Sequence, residues 1–227
     1  MKHYNLTLLL GITLLMFSCQ REDSDTVDQD KIYTQYILEY NSNQDVTYAR
    51  AHFQFSNATG TKLELVEPAQ VEADGEVMPF KQAFAYYEKD FVGVKSAIDF
   101  SYTDTDENNF NNSVEMVSSI DFPNGIDTLS RSSSFELFWD GPAVAAGEVV
   151  TVTIDGSGEN DAIVFTQAGI GATSVILTQD KLSSLGLEDA TFHIRRVKNK
   201  AASDVTSASG RNIARYLGAQ TTIYIEE

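Results

Sequence analysis

The sequence predicts an all-β protein built as two tandem β-sandwich domains. Three observations lead there. Apolar residues recur with a period of two, short strand-like runs alternate with turn residues, and a polar break from Phe122 to Ser134 divides the pattern into similar halves. Helical periodicity is nearly absent, and short strands at this spacing favour a sandwich.

The chain opens on Lys2 and an apolar run from Leu6 to Phe17, which ends at Ser18 and Cys19. Its twelve residues suit a secretory core and are too few to cross a bilayer as a permanent helix. Cys19 is the only cysteine, so no disulfide can use it within the chain. The stretch Leu15-Met16-Phe17-Ser18-Cys19 resembles the lipobox of bacterial lipoproteins, with Met16 where leucine is usual. The resemblance implies that residues 1–18 are a signal peptide, and that Cys19 is lipidated and is the attachment to the membrane. Stable anchoring requires about two acyl chains, which one such cysteine would carry.

Residues 19–31 follow as an expected disordered tether. Gln20 to Lys31 holds five acids and one aliphatic residue, too little to bury. An acidic stretch directly after the cysteine is similar to the surface-export signal of Bacteroidota lipoproteins. It implies an outer-membrane protein facing outward; a simple spacer is the plain alternative.

The first sandwich is expected over residues 32–122. In Tyr48 to Phe55, Ala49, Ala51, Phe53 and Phe55 share one face, while Tyr48, Arg50, His52 and Gln54 share the other. Further runs fall at residues 62–66, 71–73, 84–87 and 97–103, punctuated by Asn57 to Gly60, Asp74-Gly75 and Asp104 to Asn109. Residues 123–134 read as a linker. The second sandwich, 135–227, has strand runs at 135–139, 149–154, 162–166, 174–177, 191–197, 212–217 and 221–225. Its last two runs form an expected hairpin through Gly218-Ala219-Gln220. The one helical signal has Thr178 as cap, Leu182 and Leu185 on one face, and Gly186 as the stop.

Several of these runs carry a wider resemblance: Ala51-His52-Phe53-Gln54-Phe55, Gly60 to Leu65 and Phe100 to Asp104 in the first half, and Glu148 to Ile154, Gly210 to Ile213 and Tyr216 in the second. They resemble a group of Bacteroidota lipoproteins with two tandem immunoglobulin-like domains and no settled function. That likeness implies immunoglobulin-like sandwiches and no particular activity.

Composition narrows the function classes. The 227 residues carry a net charge of −17, so nucleic acid is an unsuitable partner and the membrane cannot be held by surface charge. Hydrophobic residues make up 42%, ample for packed cores without disulfides. Without residues 1–18, only His52 and His193 remain, and no nucleophile elbow, phosphate loop or HExxH occurs. Catalysis, a metal centre and a cofactor are therefore not expected. Thirty-three acids always supply some carboxylate pair, so a glycosidase reading has nothing specific behind it.

Three features remain as candidates. Tyr86, Tyr87 and Trp139 could stack on sugars, although strand aromatics more often pack in cores. Asp25-Thr26-Val27 and Asp127-Thr128-Leu129 resemble Bacteroidota O-glycosylation acceptors, which would modify Thr26 and Thr128. Asp104, Asp106, Asn108, Asn112 and Glu115 have the spacing of a calcium loop, but their flanks are strand-like and Asn109 replaces the usual glycine, so a hairpin turn is expected. The function that follows is a non-catalytic binding, adhesive or complex-forming role at the cell envelope, with a glycan or another envelope protein as partner. A polysaccharide-utilisation accessory that binds glycan is the alternative.

Overall fold

A computed structural model describes residues 21–158 and 161–227. Its N-terminal half contains β1 (Arg21–Asp23), β2 (Ile32–Asn41), β3 (Val46–Phe55), β4 (Lys62–Glu64) and β5 (Gln70–Ala73), then β6 (Glu76–Val77), β7 (Phe80–Lys81), β8 (Tyr86–Val92), β9 (Ala97–Thr103) and β10 (Asn109–Glu115). The second half contains β11 (Thr128–Ser130), β12 (Phe135–Phe138), β13 (Glu148–Asp155), β14 (Ile163–Gln167) and β15 (Ser174–Leu177). A one-turn helix, α1 (Gln179–Leu182), leads to β16 (Glu188–Ala201), β17 (Gly210–Leu217) and β18 (Thr221–Glu226).

The chain is all-β and forms two sandwich lobes, each with its own core. In the first, Ile32, Leu38, Phe53, Leu63, Phe100 and Tyr102 fill the space between the large sheet and the small sheet β10-β9-β5-β6. In the second, Trp139, Val152, Ile154, Leu177, Phe192 and Ile223 pack the large sheet against the ribbon β12-β15. Alternation accounts for the placement: β3 puts Ala49, Ala51 and Phe53 inward and leaves Arg50 and His52 on the outer face. Each large apolar side chain so buried contributes about 1.5–3 kcal/mol before entropy is charged against it.

The division into two domains joined by a linker needs correction. One sheet runs through both lobes in the order β1-β4-β3-β2-β17-β16-β13-β14. Its seam is the parallel pairing of β2 with β17, from Thr34 opposite Gly210 to Asn41 opposite Leu217. Inside the seam Tyr40 and Tyr216 meet at 5.0 Å between ring centroids, and Tyr216 packs against both cores. The expected linker 123–134 contains β11, which pairs in parallel with β18 and buries Leu129 in the second core. Its serines read as polar from the sequence, but one apolar residue in a three-residue strand suffices to dock it.

The expected hairpin of residues 212–225 is also replaced. Strand β16 is fourteen residues long and spans both lobes: β18 pairs with Glu188–Phe192 and β17 with Arg195–Ala201 along one edge, while β13 takes the other. Gly218 to Gln220 therefore carry the chain from one lobe to the other. The helix is shorter than the sequence indicated, but both Leu182 and Leu185 are buried as its spacing required.

The tether is the third correction, within the described residues 21–31. Strand β1 pairs in parallel with β4, and two 3-10 turns follow it, Ser24–Thr26 and Gln29–Lys31. Ser24 and Gln29 are buried: Gln29 Nε2 donates to the Ser24 and Val27 carbonyls, and Ser24 Oγ accepts from Val66 N–H. Polar side chains that satisfy backbone groups hold this segment, where an apolar count finds only Val27, which packs against the first core.

Candidate functional site

At the lobe junction the large sheet presents two unlike faces. On the outer face a charge network crosses four strands. Arg50 on β3 reaches Glu88 on β8 at 2.6 Å and Glu39 on β2 at 2.7 Å, and Arg215 on β17 reaches the other oxygen of Glu39 at 3.2 Å. Tyr48 lies under the Arg50 guanidinium at 4.8 Å from its ring centroid. Burial alone would raise the Glu39 carboxyl, but pairing with Arg50 and Arg215 outweighs it and holds the group below its ordinary range. His52, beside this network, is pushed down to about 4 by burial first and then by Lys62, Arg50 and Arg215. It is therefore a neutral ring at neutral pH.

The inner face opens into a cleft of about 490 Å³ between the two lobes. Ser113, Glu115 and Met116 line one wall, at the end of β10 and just beyond it. Lys198 and Lys200 on β16, with Asn212 on β17, line the other. Position on alternate residues of one strand directs both lysines to this face and sets them about 7 Å apart along it. Neither lysine has an ion-pair partner among the described residues. Asn212 is 7% exposed; its amide nitrogen donates to the Ser113 carbonyl at 3.4 Å, and its oxygen has no partner among the described residues.

Side-chain bonds frame the cleft. At its base Arg196 and Glu148, 1% and 7% exposed at their side chains, form a 2.8 Å ion pair. Arg196 also donates to the Ala143 and Pro142 carbonyls, and Glu148 accepts from Ala145 N–H, so the buried charges are matched inside the protein. At its rim Asn112 of β10 holds the loop between β16 and β17: it donates to the Asp204 carbonyl at 2.7 Å and accepts from Ser203 N–H at 3.0 Å. Asn111 N–H donates to the Asp204 carboxylate at 2.7 Å.

The residues singled out in the sequence are scattered. Cys19 lies outside the described residues. Thr26 and Thr128 are both exposed, but Thr26 ends a 3-10 turn with its hydroxyl donating to the Asp23 carbonyl at 2.7 Å, and Thr128 sits in β11 opposite Tyr224. Trp139 is 5% exposed, with its indole N–H donating to the Pro142 carbonyl at 3.2 Å, and Tyr87 is buried with its hydroxyl accepting from Leu65 N–H. Both are core residues. Tyr86 is half-buried and stacks on Phe84, which is 60% exposed. His193 is exposed on β16.

The 104–115 stretch is a β9–β10 hairpin. Asp104 is buried and turned inward: its carboxylate accepts from Asp106 N–H, Asn108 N–H and the Asn108 amide at 2.8 to 3.0 Å. Asn112 and Glu115 lie in the strand, Asn112 tied to the 203–204 loop, so the five residues do not converge. Among the described residues no group of three histidines, cysteines or carboxylates is placed to hold a metal ion.

Sequence reasoning missed the cleft. The available signal was Arg195-Arg196-Val197-Lys198-Asn199-Lys200, a basic run in an acidic chain whose alternation puts Arg196, Lys198 and Lys200 on one face.

No family model and no curated protein matches the chain. Two solved structures are similar to it at low level. One is from a 1.5-MDa bacterial ice-binding adhesin described for host cell surface retention, with 13% identity, TM-score 0.25, and coverage of 86% of this chain and 65% of that one. The other is a tetra-tandem repeat in the extending region of a large adhesion protein, with 15% identity, TM-score 0.25, and coverage of 84% and 49%. This chain thus spans about two thirds and one half of those chains. The sandwich assignment rests on the strand pairing itself.

Proposed function

We propose that this chain is a non-catalytic binding protein of the cell envelope, anchored in the outer membrane by lipid on Cys19 and facing outward. The observation that carries the reading is the position of the lone cysteine, at the end of a twelve-residue apolar run and two residues before strand β1, Arg21–Asp23.

The chemistry present supports binding over turnover. The outer-face carboxylates are committed to guanidinium groups, which disfavours a proton-donating acid there. His52 makes no hydrogen bond to a nucleophile among the described residues and is surrounded by cations. The framed polar cleft, by contrast, is the shape of a recognition site. Replacing Cys19 with Ala tests the anchor: unprocessed precursor and loss of detergent-phase partitioning are expected. Normal maturation with retention in the membrane fraction would reject it.

A further inference from the structure

We propose that the inter-lobe cleft binds a carboxylate-bearing saccharide, with Lys198 and Lys200 holding the acid group. The proposal rests on reading the chain as a binding protein and does not depend on its lipid anchor.

The charge distribution comes first. In a chain of net charge −17, Lys198 and Lys200, both exposed, line one concave space without a carboxylate partner among the described residues. Arg195 and Arg211 are also free of ion pairs among the described residues, but they lie on the opposite face of β16 and β17 from the two lysines. What distinguishes the lysines is that both line one concave space. The lining holds two carboxylates: Glu148 is neutralised by Arg196, and Glu115 is exposed at the edge. With the Arg196–Glu148 pair counted as neutral, Lys198 and Lys200 against Glu115 leave one net positive charge, and a carboxylate entering near the ammonium groups gains attraction that a neutral ligand lacks.

The other lining groups specify what accompanies the acid. Asn212 lines the cleft, and its side-chain oxygen is a buried acceptor with no donor among the described residues, so a ligand hydroxyl hydrogen-bonded to that amide would satisfy a group that now costs free energy. Ser113 and Ser203 on the lining add hydroxyls that donate or accept, and Glu115 accepts only. Met116 presents a half-buried apolar patch between these polar groups, suited to the C–H face of a sugar ring. A ligand that presents a carboxylate, several hydroxyls and an apolar ring face matches all three features. An acidic peptide matches the lysines but supplies no hydroxyl array. The volume is within the range of small-molecule sites and accommodates one or two sugar rings.

The test is isothermal titration of the full chain in detergent with trigalacturonic acid, maltotriose and a triglutamate peptide. Binding of trigalacturonic acid that weakens with added salt, with maltotriose and triglutamate at least about tenfold weaker, is expected. The Lys198→Ala/Lys200→Ala variant should lose that binding by about tenfold or more at unchanged melting temperature, and Lys198→Arg/Lys200→Arg should retain most of it. Asn212→Leu, which removes the acceptor, should weaken trigalacturonic acid and leave triglutamate unchanged. No binding at millimolar trigalacturonic acid, equal binding of maltotriose, or preference for triglutamate would overturn the assignment. So would full binding by the double alanine variant. Membrane fractionation of Cys19→Ala reads the anchor separately, so failure of one proposal is not mistaken for failure of the other.

Discussion

The two faces of the sheet at the lobe junction use cations in opposite ways. Outside, Arg50 and Arg215 share Glu39, and Arg50 also holds Glu88, so one network pins β8, β3, β2 and β17 in register. Inside, Lys198 and Lys200 come from the same β16–β17 hairpin and face a cleft without partners. The difference lies in the neighbours and not in the strand. A guanidinium matched by carboxylates is spent on the fold, whereas an ammonium left free in a concave space is available to a ligand. Substitutions on the two faces should therefore separate stability from binding.

The largest effect is expected beneath the cleft. Arg196→Met leaves Glu148 charged, buried and unpaired, which should cost about 3–5 kcal/mol and lower the melting temperature by roughly 10 °C. The double variant Arg196→Met/Glu148→Leu should recover much of that loss, because the uncompensated charge is gone. Thermal unfolding of both variants checks this. Equal destabilisation by the single and double changes would show that packing, not the ion pair, holds the frame.

The seam comes next. A Cβ on Gly210 would stand 2.6 Å from the Thr34 hydroxyl oxygen and 2.9 Å from the Thr34 carbonyl, so β17 could not approach β2 as closely. Gly210→Ala should cost about 1–3 kcal/mol, read as a fall in the denaturation midpoint, with the loss shared by both lobes. Melting of the second lobe alone would contradict a continuous sheet.

His52 supplies a smaller, pH-dependent effect. Its folded value of about 4 lies below the unfolded reference of 6.5, so the unfolded chain binds the extra proton between those values. The contribution is fully present above the unfolded value and is lost as pH falls from about 6.5 towards 4, to a total of roughly 2 kcal/mol after allowance for partial exposure. His52→Gln should flatten the fall in melting temperature over that window. An unchanged slope would place the pH dependence elsewhere.

How much of this was legible in the sequence follows from the range of each interaction. Period-two alternation is local, so Ala49, Ala51 and Phe53 were assigned to the core face, and the strand runs, turns and two-core division were readable. Parallel pairing of β2 with β17 joins residues about 176 apart in the chain, and no local pattern encodes it. The tether was misjudged because Ser24 and Gln29 order it through hydrogen bonds, which hydropathy does not count. Trp139 and Tyr86-Tyr87 drew attention as aromatics, yet Trp139 and Tyr87 are core and only Tyr86 stays half open beside Phe84. The cleft lysines were visible as a basic run. Their lack of partners depends on where Glu115, Glu148 and β10 end up, which only the fold decides.

The measurement that bears most directly on the contrast between the faces compares two variants side by side. Lys198→Ala/Lys200→Ala removes the free cations of the cleft, and Arg50→Met breaks the outer network. The cleft variant should stay within about 0.5 kcal/mol of the parent while losing trigalacturonic acid binding. The network variant should lose about 1–2 kcal/mol, because two partly buried carboxylates give up their shared guanidinium, while its binding stays unchanged. The reverse pattern, a destabilised cleft variant that still binds and a stable network variant that does not, would contradict the account.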